Sequence, residues 1–292
     1  MDATTLLFAV SGWAAAGYSW LRSDRIRAVL RQYAGSAVAR RAPGKPGSSR
    51  GRETTATVFF TDMKSFTEAS EQLGPEKTAL LLKMVLGPAL DAIRKSGGVV
   101  DKIVGDAIMY RHSDALSGLF MLEEVHKVID KATQKAAQYI GCARPTFTTG
   151  VHYGDIYICY LGTKGGLVDY TILGDTVNTA SRVQGLTSKY GFPAMISGDT
   201  FRAAGMPEAW KLLDVVQVKN RKQPVDLYVQ PTDLEAWAAF EEARIPYAKG
   251  QFSEAAEMFE KIGLTMWADR AKLLEKNPPS QWSTVWAWAT KN

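Results

Sequence analysis

Cysteine and histidine are scarce in this chain, two and three respectively among 292 residues. Cys142 and Cys159 are too few for a disulfide framework, and His112, His126 and His152 stand too far apart for zinc-ligand spacing. A reducing compartment fits that composition. An even spread of basic charge is missing as well. The net charge is +5, yet residues 22–52 hold nine Lys and Arg against the single Asp24, a local balance of +8; the remaining 26 basic and 29 acidic residues sum to −3. The basic excess marks one stretch and not a folded face, which argues against a nucleic-acid partner. With 46% apolar residues the chain is not wholly disordered, and its length suits one large domain or two small ones.

What is present begins with an uncharged run of 19 residues, 3–21, including Leu6, Leu7, Phe8, Val10, Trp13, Trp20 and Leu21. As a helix it measures about 28 Å, just enough to span a bilayer. Asp2 precedes it and Arg22, Arg25, Arg27 and Arg31 follow it, the reverse of a cleaved signal. The positive-inside rule then predicts a single-pass helix in the inner or plasma membrane, with everything after Leu21 in the cytoplasm. The alternative is a helix packed on a partner through its small residues, Gly12, Ala14, Ala15, Ala16 and Gly17. Residues 22–53 read as a basic helical lead-in followed by a Pro-, Gly- and Ser-rich linker. A domain over 54–231 and a helical extension over 232–292 follow.

Within that domain, residues 55–61 read as a buried strand ending at Asp62. Ser65 and Glu68 have capping-box spacing, and a helical period runs from Pro75 through Lys95. Residues 99–103 and 107–110 predict a hairpin turning near Gly105, and 115–139 a second helix. Residues 146–153 and 156–161 predict another strand pair around Gly154-Asp155. Residues 168–173 form a further strand, after which Asp175 is placed to cap a helix to about Lys189. Strands over 212–219 and 225–229 close the domain. This order argues for an α+β sandwich with helices on one face of a mostly antiparallel sheet. In the extension, residues 247–255 resemble one helix-turn-helix of a tetratricopeptide repeat; a lone unit cannot stack, so a helical hairpin packed on the domain is expected. Trp282, Trp286 and Trp288 look like a docking strap.

Asp62 at a strand end and Asp106 at a hairpin turn lie 44 positions apart, but neighbouring strands can bring them together to hold magnesium or manganese with a substrate's phosphates. Each also has an ordinary explanation, as helix cap or turn former. The turn Asp62-Met63-Lys64-Ser65-Phe66-Thr67 joins strand to helix, so its backbone N–H groups can cradle phosphates. Asn178 and Arg182, four apart on one helix, aim an amide and a guanidinium together; such a pair is also compatible with a solvated face. Lys102 and Lys219 taken singly are surface lysines.

In order, these residues resemble the class III adenylyl and guanylyl cyclase catalytic domain over roughly residues 55–230. Residues 60–67 (FTDMKSFT) are similar to its first metal motif, 97–109 (GGVVDKIVGDAIM) to its second, 170–182 (YTILGDTVNTASR) to its transition-state helix, and 218–225 to its phosphate-lysine loop. The resemblance implies a ferredoxin-like βαββαβ core and an adenylyl cyclase making 3′,5′-cyclic AMP and pyrophosphate from ATP. It implies two divalent cations, Mg²⁺ or Mn²⁺, on Asp62, Met63 and Asp106; adenine read by Lys102 and Thr171; triphosphate held by Phe66, Thr67 and Lys219; ribose oriented by Asn178; and Arg182 on the pentavalent phosphorus. It further implies a head-to-tail homodimer, with Asp62 and Asp106 from one chain and Lys102, Thr171, Asn178, Arg182 and Lys219 from the other. The chain departs from the pattern at Ser65, where many members have Gly, and at Lys64, an added charge in the phosphate loop. A catalytically silent dimerisation or sensory module of the same fold, or a guanylyl cyclase, are the alternatives.

Overall fold

A computed structural model describes residues 51–162, 168–218 and 223–287. The expected membrane helix and lead-in, Lys219 and Trp288 lie outside the described residues. Nine strands form one sheet in the order β2-β3-β1-β4-β6-β8-β7-β9, with β5 on β4. They are β1 (Arg52–Met63), β2 (Val99–Val104), β3 (Ala107–His112), β4 (Phe147–Gly162), β5 (Val168–Leu173), β6 (Ala194–Ser197), β7 (Lys211–Gln217), β8 (Val225–Val229) and β9 (Val285–Ala287). The pairing is mostly antiparallel, as expected; β4 with β6 and β7 with β9 run parallel. β1 starts at Arg52, inside the expected linker, because Arg52 already pairs with Ile158.

Helices cover both faces of the sheet, not one. On the first lie α1 (Phe66–Lys95) and α2 (Ala115–Ile140), whose apolar residues enclose Phe59, Met63, Ile108, Tyr110 and Val151. On the second lies α3 (Asp175–Tyr190), which buries Ala180 with Ala56, Val58, Met109 and Ile156. Strand alternation sorts these sets: odd residues of β1 face α1 and α2, even ones face α3. α1 is kinked at Gly74, whose φ of 73° ends a first short helix before Pro75 opens the expected one.

The second expected hairpin does not exist. β4 runs unbroken for 16 residues through Gly154-Asp155. Gly154 serves close approach instead of a turn: a Cβ there would lie 2.7 Å from Thr176 Oγ1, whose hydroxyl donates to the Asp155 carbonyl at 2.6 Å. β6 and a short helix α4 (Gly198–Ala203) were not foreseen, being too brief to show a period.

The extension packs on the domain, as a hairpin reading requires, with a third helix added. The three are α5 (Leu234–Ala248), α6 (Phe252–Lys261) and α7 (Thr265–Lys276), and Trp237, Phe240, Phe259 and Trp267 bury Val216, Leu227 and Val229 of the sheet. The tail does act as a strap: Trp282 Nε1 donates to the Tyr247 carbonyl at 2.9 Å, and β9 extends the sheet at β7. Beneath it Arg270 of α7 pairs with Asp214 of β7 at 2.5 Å, both almost fully buried, with the Trp267, Tyr247 and Trp286 rings around the guanidinium. Tyr190, the last residue of α3, donates its hydroxyl to the same carboxylate.

Candidate active site

Asp62 shares the α3-side register of Val58 and Phe60 at the end of β1. Asp106 follows Gly105, whose φ of 62° makes the two-residue turn between β2 and β3. β1 pairs with β3 up to Thr61↔Ile108, so the two carboxyl groups meet beyond the last rung. Burial and the neighbouring Asp106 carboxyl group push the Asp62 carboxyl up to about 6, against the pull of the Met63 N–H, which donates to Asp62 Oδ1 at 3.0 Å. Two oxygen-donor groups competing for one proton suit a hard divalent cation, which displaces that proton, so this pair fits magnesium or manganese. Among the described residues no third His, Cys, Asp or Glu joins them. The Met63 side chain is buried in the core, which leaves its backbone carbonyl as the atom able to serve a metal.

Behind the pair runs a buried polar chain that sequence reading missed. Thr61 Oγ1 lies 3.0 Å from Tyr110 Oη and 2.7 Å from Thr149 Oγ1, which in turn lies 2.7 Å from His126 Nε2. Burial brings His126 down to about 4, so its ring is neutral near pH 7. The chain fastens β1, β3, β4 and α2 together just below Asp62.

Ser65 does not cap α1. Its side chain makes no capping hydrogen bond, and its backbone is left-handed at φ 57° and ψ 35°. The first bond of the helix runs from Ala69 N–H to the Ser65 carbonyl at 3.1 Å, which leaves the Phe66 and Thr67 N–H groups free of helical acceptors beside Asp62. The Phe66 side chain packs against the core, so only its backbone can face a phosphate.

At the base end, Lys102 of β2 reaches β5. Its Nζ lies 2.6 Å from Asp169 Oδ2. Lys102 sits level with Gly150 of β4, whereas Asp169 pairs with Leu161, 11 residues further on and about 35 Å away if β4 were straight. The β4–β5 arm therefore curls back across the α3 side of the sheet to meet the β2–β3 hairpin. Thr171 lies two residues along β5 on the same side as Asp169 and is 4% exposed. The structure thus brings Lys102 and Thr171 to one arm and adds Asp169, which sequence reading passed over although its spacing from Thr171 on a strand was the available signal.

α3 presents the remaining pair. Asp175 is its first residue, and Gly174, not Asp175, is the cap. Asn178 is exposed, whereas Ala180 and Val183 are buried. Arg182 makes an ion-pair contact with Asp175 Oδ1 at 3.9 Å, beyond hydrogen-bond distance, and its buried Nη1 has no hydrogen-bond acceptor among the described residues. A guanidinium donor left unengaged next to an exposed amide is suited to phosphate oxygens.

Comparison with known proteins follows the same outline. Residues 49–203 match the family described as the adenylate and guanylate cyclase catalytic domain. An adenylate cyclase of Anabaena cylindrica is 31% identical over 183 residues, 59% of this chain and 36% of that protein. The matched part thus spans about a third of this curated relative. The crystal structure of the adenylyl cyclase CyaB from P. aeruginosa aligns with a TM-score of 0.56 at 26% identity, covering 63% of this chain and 97% of that one. The guanylyl cyclase Cya2 shares the fold at a TM-score of 0.55 and 24% identity, covering 62% of this chain and 93% of that one. A matched carboxylate pair, an engaged lysine and an arginine-bearing helix on that fold agree with the match: the chain belongs to the adenylate and guanylate cyclase catalytic domain family.

Proposed function

We propose that this chain is an adenylyl cyclase, converting ATP to 3′,5′-cyclic AMP and pyrophosphate at the interface of a head-to-tail homodimer anchored to the membrane by residues 3–21. The observation that carries the reading is the neighbouring Asp62 and Asp106 carboxyl groups, the first at the open end of β1 and the second on the hairpin that also carries Lys102. Asp62, Asp106 and the Met63 carbonyl would hold two divalent cations, which would lower the pKa of the attacking hydroxyl and neutralise phosphate charge. In the reaction the ribose 3′ oxygen bonds to the α-phosphorus, the bond from that phosphorus to the α–β bridging oxygen breaks, pyrophosphate leaves with the electron pair, and the hydroxyl proton passes to solvent water.

The chain's own groups orient and stabilise that exchange. Asn178 holds the ribose, and the free Arg182 donor meets the charge on the pentavalent phosphorus. Phe66 and Thr67 N–H groups and Lys219 hold the outer phosphates. Lys102 donates to adenine N1, Asp169 accepts from the exocyclic amine, and the Thr171 hydroxyl completes that edge. Guanine presents a protonated N1 and a carbonyl, which reverses both demands. Lys102 and Asp106 sit on one hairpin but serve different sites of the dimer.

The test is the 292-residue chain in detergent, given ATP or GTP with Mn²⁺ or Mg²⁺ and the product identified by chromatography. Cyclic AMP from the parent and none from Asp106→Ala is the expected result. Cyclisation of GTP instead overturns the base assignment, and no turnover by a confirmed dimer overturns the enzyme reading.

A further inference from the structure

Simple strand alternation would turn Lys102 away from the arm. β2 and β3 pair as Val99↔Arg111 and Val100↔Tyr110, and an uninterrupted ladder would continue with Asp101↔Met109 and Lys102↔Ile108. Lys102 would then share the face of Ile108, under α1 and α2. The ladder instead resumes at Lys102↔Met109, which makes Asp101 an extra residue in the strand. That bulge transfers Lys102 to the face of Met109, the α3 side, where Asp169 meets it.

The extra residue is tied down in an unusual way. The Asp101 side chain has no solvent exposure, and Arg111 Nη1 donates to its two oxygens at 2.9 and 3.0 Å from the opposite strand. Arg111 itself keeps only 10% of its side-chain exposure. A buried ion pair is a poor source of stability, since apolar residues of similar volume often do as well or better. What it fixes is register, and a slip of one residue exchanges the faces of a strand.

We propose that Asp101 and Arg111 are a positioning pair for purine selection: they pin the bulge in β2 and thereby hold Lys102 on the base-facing side. The proposal rests on the reading of Lys102 as the residue that meets the base. Neither Asp101 nor Arg111 touches the nucleotide; both act through Lys102.

The experiment uses the full chain with Mn²⁺ and compares kcat/KM for ATP and GTP in the parent, Arg111→Met, Lys102→Met and their combination. The ATP-over-GTP ratio is expected to fall about tenfold or more in Arg111→Met. The fall should match that of Lys102→Met, and the combination should add nothing to it. Equal loss on both nucleotides with the ratio unchanged, or losses that multiply, overturns the proposal. If Arg111→Met does not fold, Asp101→Leu with Arg111→Met leaves no orphaned charge and carries the same comparison. Hydrogen exchange of the 100–104 amides gives a reading independent of turnover. Faster exchange there in Arg111→Met is expected, and unchanged exchange overturns the pinning. A parent that cyclises neither nucleotide instead removes the functional reading, and exchange still decides whether Arg111 holds the bulge.

Discussion

Gly150 of β4 and Gln184 of α3 meet backbone to backbone: a Cβ on Gly150 would fall 2.0 Å from the Gln184 nitrogen and 2.6 Å from the Ala180 carbonyl oxygen. No flexible side chain is there to yield. The helix that carries Asn178 and Arg182 is seated by the absence of one methyl group.

Gly150→Ala must therefore push α3 off the sheet. Overpacking against backbone costs about 1–3 kcal/mol or more. We expect urea unfolding to show that loss, and turnover to fall by more than the unfolded fraction explains, because Arg182 moves with the helix. Retained activity at lowered stability would show that α3 tolerates the shift.

Ser65 is the opposite case, a side chain where none is wanted. Its left-handed backbone costs roughly 1–2 kcal/mol for a residue with a Cβ, against about 0.5–1 kcal/mol of extra chain entropy for glycine. Ser65→Gly is expected to raise the free energy of unfolding by a few tenths to about 1 kcal/mol, and the denaturation midpoint with it. A fall in the midpoint would contradict the strain argument.

His126 makes the fold acid-sensitive. Its folded pKa, about 4, lies below the unfolded value of 6.5, so the unfolded chain binds more protons in that window. Its neutral burial is fully compatible with stability above pH 6.5, and stability is lost as pH falls toward 4, by a few kcal/mol in all. Thermal midpoints measured across that range should be flatter in His126→Gln, whose amide keeps a bond to Thr149.

Arg270→Leu should be the most damaging change in the extension. It leaves Asp214 buried without its cation, at a cost of about 3–5 kcal/mol. Tyr190 bonds to the same carboxylate, so the C-terminal end of α3 sits on the group left without its cation. Chemical denaturation gives the energy, and a loss under 1 kcal/mol would mean that Asp214 reaches water.

Much of the acidic end was legible because its parts are local. Asp62 closes a strand rich in β-branched and aromatic residues, and Asp106 follows a turn glycine; each position can be read from a few neighbours. The base end was less legible for a physical reason. Asp169 meets Lys102 only because β4 is long and curled, and Gly154-Asp155 imitates a turn while serving close packing against Thr176. The bulge at Asp101 is invisible to periodicity, since it breaks the very alternation on which strand reading depends. The helix from Asp175 was foreseen but its place on the second face was not, because α3 sets Ala180 close against β4 with little apolar bulk to announce it.

The two ends of the site also differ in how they come into being. Asp62 and Asp106 are brought together by the β1–β3 ladder, with the buried Thr61 chain beneath them. Lys102 and Asp169 close a gap of 67 positions through a partly exposed pair, and such pairs are worth little energy. Long closures pay more chain entropy and open at lower free energy than the core they decorate. Mild warming or a destabilising substitution elsewhere thus loosens the arm before it disturbs the acidic pair. On the proposed function, discrimination between purines is therefore expected to fail on warming before cation binding does.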